Sequence, residues 1–140
     1  MSAQDNANKF FAACEAPEGW AGCKDYVAKG ATFEAQSEPL ADVTTVEGYC
    51  EWMKAFGTIT APGATYDLHA SSFDAASNQA MYFATYNATH TGEGGPVPPT
   101  GRDTHSHYVY VIQMNDEGLV KHMTKIWNAP WAMRELGWAE

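Results

Sequence analysis

Apolar residues recur at helical spacing in the first half of the chain and predict three helices. The first follows Ser2 or Asp5 as its cap and buries one apolar row, formed by Phe10, Phe11 and Cys14. The second begins at Pro17 and ends at Gly30, and a short strand follows over residues 31–37. These segments predict a helical layer that precedes the main sheet.

The third predicted helix has the clearest amphipathic pattern in the chain. Thr44 and Glu47 form a capping box ahead of it, and Gly57 ends it. Its apolar face repeats at positions i, i+3, i+4 and i+7, which are Tyr49, Trp52, Met53 and Phe56. This face is therefore expected to pack against the sheet.

Alternation with a period of two then predicts four strands, at about residues 64–74, 78–90, 104–114 and 119–127. The last two flank the polar turn Asn115-Asp116-Glu117-Gly118 and predict a long antiparallel hairpin. A short helix follows, which Asn128 caps and Gly137 ends. Helices first and strands afterwards predict an α+β fold, in one domain over residues 1–140.

Both faces of the two central strands carry apolar residues, although a sheet with one face in water needs only one apolar face. One face carries Tyr82, Ala84, Tyr86 and Ala88 from the first of these strands, with Tyr108, Tyr110 and Ile112 from the second. The helices can cover only one face of the sheet. The other face is therefore expected to form a homodimer contact near His107, Val109 and Val111.

The element order and the end of the chain resemble the NTF2-like superfamily, in particular its SnoaL-like (polyketide cyclase-like) members. The common ending of SnoaL-like proteins is similar to the stretch from Gly118 to Asn128, GLVKHMTKIWN, and on to Gly137. The resemblance implies a cone-shaped barrel in which N-terminal helices pack on a curved antiparallel sheet. The superfamily includes polyketide cyclases, ketosteroid isomerases and limonene epoxide hydrolases, so it also implies a small-molecule ligand.

Several positions of known acid–base residues in this superfamily hold other residues here. In the register of ketosteroid isomerase, the oxyanion tyrosine falls at Phe11, the general base at Ala35 and the second aspartate at Tyr110. The aspartates of the SnoaL-like ending fall at Lys125 and Asn128. Catalysis by those carboxylates in that form is therefore not expected.

The resemblance places Met123, Lys125 and Trp127 of the last strand inside the cone. The ligand-binding residues that follow from it are Trp52, Tyr82, Tyr86, Tyr108, Met123 and Trp127. Aromatic walls with a few polar groups are typical of small-ligand pockets. A closed aromatic core is the alternative interpretation of the same residues.

Lys125 is the main catalytic candidate, with Tyr110 and also Tyr82 as proton-transfer partners. Desolvation among aromatic rings lowers the pKa of a lysine and makes it a better base or amine nucleophile. The alternative is that Lys125 pairs with Glu34 or extends its amine to the rim. Two functions remain open: a lyase, isomerase or hydrolase acting on a small apolar or aromatic compound, or a non-catalytic ligand-binding or accessory protein.

Composition limits the partners of this chain. The formal net charge of −9 argues against nucleic acid, and no apolar run is long enough to span a membrane. The three cysteines are expected to be buried thiols, and the N-terminus lacks a signal peptide, so the chain is expected to be cytoplasmic. His105 and His107 share a strand face, but two imidazoles are too few for a metal site, and no cofactor is expected.

Overall fold

The computed structural model describes residues 2–139, which form a five-stranded sheet with helices packed on its concave side. The helices are α1 Ala3–Glu15, α2 Gly19–Cys23, α3 Val46–Ala55 and α4 Ala129–Leu136. The strands are β1 Val27–Ala35, β2 Thr65–Asp74, β3 Gln79–Thr89, β4 Asp103–Met114 and β5 Val120–Trp127. Short 3-10 turns at Lys24–Tyr26 and Glu38–Leu40, and a π-turn at Phe56–Thr60, connect these elements.

The strands follow the order β1-β5-β4-β3-β2 across a curved sheet that does not close into a barrel. The pairs β2–β3, β3–β4 and β4–β5 are antiparallel. Strand β1 instead pairs in parallel with β5, so the sheet is mixed and not wholly antiparallel as predicted. The α+β fold class and the predicted bounds of β2 to β5 are confirmed to within two residues.

Helix α1 begins and packs as its sequence predicts. The Ser2 hydroxyl caps it by accepting a hydrogen bond from the Asp5 amide at 3.0 Å, and Phe10, Phe11 and Cys14 are buried. The Asn6 side-chain amide donates to two backbone carbonyls, those of Tyr26 at 3.1 Å and Gly118 at 2.8 Å. This amide ties the first helix to the β4–β5 turn at the far end of the chain.

The predicted helix from Pro17 to Gly30 is wrong in its second half. Helix α2 ends at Cys23, and strand β1 already begins at Val27. Val27 and Phe33 are buried along this strand, so pairing with β5 outweighs the helical spacing of the preceding residues. Gly30 lies where the register with β5 shifts, and its φ of +75° suits glycine.

Two details of the predicted third helix are also wrong. The N-cap is Thr45 and not Thr44, because the Thr45 hydroxyl accepts from the Gly48 amide at 3.0 Å. Gly57 does not end the helix, which continues into the π-turn. A Cβ at Gly57 would lie 3.0 Å from a side-chain carbon of Pro17, so this glycine permits close packing of the turn.

The β4–β5 hairpin has the predicted register. Tyr108 lies opposite Trp127, Tyr110 opposite Lys125, and Ile112 opposite Met123. Their side chains point to the concave side of the sheet, and the space between the sheet and the helices is called the cone below. Because side chains alternate along a strand, His107, Val109 and Val111 lie on the convex face. The sheet therefore directs one lysine and several aromatic rings at the helices.

Burial of α1 provides the first test of this architecture. Phe10 is fully buried under the sheet, so Phe10→Ala should lower the free energy of unfolding by about 3–5 kcal/mol through lost burial and a cavity. Ile59→Ala is the control, since that side chain is exposed and its loss should change stability little. Urea denaturation followed by circular dichroism measures both values, and a Phe10→Ala loss as small as that of the control would contradict the packing.

Candidate functional site

A hydrogen-bonded chain of three side chains lies at the centre of the cone. The Lys125 side chain is 6% exposed, and its Nζ donates to the Tyr49 hydroxyl at 2.9 Å. The Tyr49 hydroxyl in turn shares a short hydrogen bond with the Tyr110 hydroxyl. Helix α3 supplies Tyr49, and the paired strands β4 and β5 supply the other two. Protons can therefore pass between the amine and Tyr110 without bulk water.

Aromatic rings surround the Lys125 amine on several sides. The distances from Nζ to the ring centroids are 4.7 Å for Trp127, 5.1 Å for Tyr49, 5.3 Å for Tyr108, 5.7 Å for Trp52 and 5.8 Å for Tyr110. The faces of such rings attract a cation. This attraction offsets part of the hydration that the ammonium loses on burial.

Glu15 is the buried carboxylate of the site, and the sequence analysis missed it. It is the last residue of α1 and is 2% exposed, and neither of its oxygens has a hydrogen-bond partner. Burial raises the pKa of Glu15, while the Tyr110 hydroxyl and the Lys125 charge oppose the rise. A signal was present in the sequence, since Glu15 follows Phe11 by four residues on the buried helix face.

Burial also lowers the pKa of Lys125, to about 8, and the Glu15 charge opposes the shift. The predicted alternative partner of the lysine, Glu34, is not bonded to it. Glu34 lies on the exposed face, where its carboxylate is 3.3 Å from His122 Nε2 and accepts from the Thr124 hydroxyl at 3.2 Å. Lys125 and Glu15 are thus two buried ionisable groups inside the cone, and each shifts the pKa of the other back toward its ordinary value.

The surrounding tyrosines remain protonated at neutral pH, because burial raises the pKa of each phenol above its ordinary value. The Tyr86 and Tyr108 hydroxyls are buried without a hydrogen-bond partner, so they are free to bind a ligand. Tyr82 lies apart from the amine. Its hydroxyl donates to Asn8 Oδ1 at 2.6 Å, and burial raises its pKa to about 12.

A cavity of about 20 Å³ adjoins the amine, which is room for about one water molecule. Its lining residues are Trp52, Met53, Phe56, Tyr86, Tyr108, Lys125 and Trp127. The list contains four of the six ligand-binding residues predicted from sequence. The other two, Tyr82 and Met123, are buried in the core outside this cavity.

A second space, a surface depression of about 390 Å³, lies at the end of β1 and β5. Its lining residues are Glu34, Ala35, Gln36, Thr124, Lys125, Ile126 and Trp127. Lys125 and Trp127 line both this depression and the inner cavity. The Trp127 indole is held by one hydrogen bond, from its Nε1 to the Ser106 hydroxyl at 3.2 Å. These two residues separate the amine's cavity from the surface.

The remaining histidines and cysteines lie outside this site. His105 and His107 are exposed on the convex face, as the predicted register implies, and His105 Nδ1 lies 2.8 Å from Asn87 Oδ1. The three cysteines are buried free thiols, as predicted. In the described part of the chain, no group of three or more His, Cys, Asp or Glu side chains is arranged to hold a metal ion. Within residues 2–139, no helix has both the length and the apolar character required to cross a membrane.

Similar folds occur among solved structures. AclR from Streptomyces galilaeus, provisionally assigned as a hydroxylase, superposes with a TM-score of 0.78 and 17% identity over 99% of this chain and 97% of its own. A protein from Jannaschia sp. CCS1, provisionally assigned as a SnoaL-like polyketide cyclase, superposes with a TM-score of 0.79 and 14% identity over 99% of this chain and 93% of its own. An NTF2-like protein from Burkholderia thailandensis E264 superposes with a TM-score of 0.74 and 15% identity over 96% of this chain and 97% of its own.

The chain therefore has the fold of SnoaL-like and NTF2-like proteins. No protein-family model matches its sequence, and no curated protein does either. The neighbours carry different provisional activities, a hydroxylase and a cyclase. The shared fold does not choose between these activities, because one scaffold hosts many reactions. The residues of the cone determine which reaction the chain can support.

The buried amine leads to a prediction about stability and pH. The pKa of Lys125 is about 8 in the folded chain, below its ordinary value of 10.5, so the unfolded chain binds more protons between these values. Stability contributed by this group is lowest below pH 8 and rises from pH 8 to 10.5. Between pH 8 and pH 10.5, the free energy of unfolding of the native protein should therefore rise by up to about 3 kcal/mol relative to that of Lys125→Met.

Denaturant titrations at several pH values measure this difference. Lys121→Met is the matched control, because Lys121 is exposed on the same strand, and it should follow the pH profile of the native chain. A constant difference between Lys125→Met and the native chain over the same pH range would show that the amine is not desolvated.

Proposed function

We propose that this chain, which has the fold of SnoaL-like and NTF2-like proteins, binds a small apolar or aromatic carbonyl compound in its cone and catalyses proton transfer on it. The observation that carries the proposal is that two ionisable groups, Lys125 and Glu15, are buried together among aromatic rings. Buried ionisable groups of opposite charge in an enclosed aromatic space are typical of acid–base sites. Reactions of lyase, isomerase or hydrolase type are consistent with such a site.

The proposed roles follow from the ionisation of each group. Glu15 is the general base, since its carboxylate oxygens are unpartnered and its raised pKa makes it a stronger base than an exposed carboxylate. It removes a proton from the carbon next to the carbonyl. Lys125 and Tyr110 are the proton donors, linked through Tyr49, and stabilise the negative charge that develops on the carbonyl oxygen.

Two features support the aromatic nature of the ligand. The walls that meet the inner cavity are indole and phenol rings, which stack on planar apolar molecules. The unpartnered hydroxyls of Tyr86 and Tyr108 are the polar groups that would orient a carbonyl oxygen. Among the neighbours in fold, the protein from Jannaschia is provisionally named as a SnoaL-like polyketide cyclase, which is consistent with a small-molecule ligand.

The second candidate function is ligand binding without catalysis. It is favoured by the absence of the superfamily's acid–base residues at Phe11 and Ala35 and by the small volume of the inner cavity. In that case Lys125 and Glu15 serve only to compensate each other's charge. Binding of the same compounds without exchange of their protons would identify this function.

Exchange of carbon-bound hydrogen for deuterium tests the catalytic proposal. Small aromatic ketones and 1,3-diketones are incubated with the protein in heavy water, and the loss of the proton next to the carbonyl is followed by NMR. Glu15→Gln should slow the protein-catalysed exchange about 10²- to 10⁴-fold, because the general base is lost. Tyr110→Phe should slow it by a smaller factor, since Tyr49 still donates to the site.

Glu47→Gln is the control for this assay, because Glu47 is exposed on α3 and lines neither the inner cavity nor the surface depression. It should exchange at the native rate. Ligands that bind, as measured by quenching of Trp52 and Trp127 fluorescence, but exchange no faster than in buffer would reject catalysis and leave the binding function.

We also propose that the convex face of the sheet holds a second copy of the chain and that the protein works in the cytoplasm. Phe83 is 39% exposed at the centre of this face, packed between the rings of His69 and His107 at 5.1 and 5.4 Å. Its direct partners in the neighbouring strands are apolar, Ala70 in β2 and Val109 in β4, so two acidic chains can meet there with little repulsion. Three free thiols suit a reducing compartment.

Phe83→Glu tests the dimer. In a symmetric contact, the new carboxylates of both copies would be buried in the same interface without a partner of opposite charge. The variant should therefore be monomeric where the native protein is dimeric. Light scattering at micromolar concentrations measures both masses. Ile59→Glu, an exposed apolar residue away from the strands, should leave the dimer intact, and a native protein that is itself monomeric would contradict the proposal.

A further inference from the structure

The Lys125 amine has bonding capacity that the fold does not use. An ammonium has three hydrogens to donate, and Nζ uses one of them, in the bond to the Tyr49 hydroxyl at 2.9 Å. Among residues 2–139, its side chain forms no ion pair within 4.0 Å. The amine also lines both the inner cavity and the surface depression. It is therefore available for a bond to a ligand.

We propose that Lys125 forms an imine with the carbonyl carbon of a small aromatic aldehyde or ketone bound in the cone. The inference rests on the proposed function for its binding site and adds a covalent role for the amine. The nitrogen lone pair bonds to the carbonyl carbon, and the carbonyl oxygen takes up a proton to give a carbinolamine. The carbon–oxygen bond then breaks, and the oxygen leaves as water with the two protons that the nitrogen gives up. No oxidant or reductant is consumed.

Burial supplies the neutral amine that this attack requires. With a pKa of about 8, about one Lys125 amine in ten is neutral at pH 7. For an exposed lysine with the ordinary pKa of 10.5, the neutral fraction is roughly one in three thousand. The same aromatic rings that remove water from the amine also exclude it from the imine, which water would otherwise hydrolyse.

The neighbouring polar groups match the proton transfers of the two steps. The Tyr108 hydroxyl is buried and unpartnered, and its ring centroid lies 5.3 Å from Nζ, so it can donate to the departing oxygen. Glu15 receives the proton that the nitrogen releases and returns it through the Tyr108 hydroxyl to the departing oxygen, so Glu15 and Tyr108 end in the protonation states in which they began. Each transfer thus has a donor or acceptor that the fold leaves without a bond of its own.

The route of entry follows from the two spaces that share Lys125 and Trp127. The inner cavity holds about one water molecule and is too small for an aromatic ring, whereas the depression of about 390 Å³ is large enough. Trp127 is half-buried and its indole has a single hydrogen bond, to Ser106. Rotation of this indole joins the spaces and brings a carbonyl compound from the surface to the amine.

Reductive trapping tests the imine directly. The full chain is incubated at pH 7 with benzaldehyde and, separately, with acetophenone, in the presence of cyanoborohydride, which reduces an imine to a stable amine. Peptide mapping by mass spectrometry then locates each adduct. Lys125 should be modified at least about tenfold faster than Lys9, Lys24, Lys29, Lys54 and Lys121, which are all exposed. In Trp127→Ala, where the route to the amine is open, Lys125 should still be the lysine that is trapped fastest.

Lys125→Met and Lys121→Met are the paired controls. The first should lose the selective adduct and still bind benzaldehyde, as measured by quenching of tryptophan fluorescence, and the second should keep the adduct. Binding without selective trapping, in both the native chain and Trp127→Ala, would overturn the imine and leave the proposed proton transfer standing. If the native chain and Trp127→Ala show no binding and no trapping, both proposals are overturned.

Discussion

The pairing of Tyr110 with Lys125 across the β4–β5 hairpin determines which chemical groups enter the cone. Side chains alternate along a strand, so a shift of one residue in β5 would move Lys125 to the convex face and into water. Thr124 and Ile126 would then point inward, and the Tyr49 hydroxyl would lose its donor. The turn at Asn115, whose side chain accepts from the amides of Glu117 and Leu119, holds the register that prevents this shift.

Burial of two ionisable groups in one small space is costly, and the structure compensates for it by several weak interactions. Lys125 has one hydrogen bond and a set of aromatic faces, and Glu15 has the opposing charge of the lysine and the adjacent phenols. Neither group recovers the hydration it would have in water. The remaining cost destabilises the fold at the place where reactive groups are useful, which is common at active sites.

Much of this arrangement could be predicted from the sequence, because it depends on local periodicity. The two-residue alternation put Lys125 and Trp127 on one face of β5 and Tyr110 with Tyr108 on one face of β4, and the resemblance to SnoaL-like proteins indicated that these are the inner faces. The Asn128 cap located the last helix. The shared face of Tyr49 and Trp52 likewise followed from helical spacing. The predictions that were wrong concern features that depend on contacts between distant segments. The extent of β1 depends on its pairing with β5, and spacing alone gave no sign of it.

Glu15 shows the same limit from another direction. Its position on the buried face of α1 was visible, but a glutamate at the end of a helix usually lies in water. Only the packing of that helix end against Tyr108 and Tyr110 makes the residue a member of the site. The Tyr49 hydroxyl was overlooked for a similar reason, since amphipathic spacing reports that a side chain is buried and not what its polar atom meets.

The parallel pairing of β1 with β5 has a consequence for how the chain acquires this site during synthesis. Thr32 meets His122 across 90 residues, so the first strand has no neighbour in the sheet until β5 has left the ribosome. Until then, β1 is separate from the sheet that β2, β3 and β4 can already form. Because β5 carries Lys125, the strand that completes the sheet is also the one that brings the ammonium out of water. Closure of the fold and creation of the reactive amine are therefore one event, and a nascent chain that has not finished folding has neither.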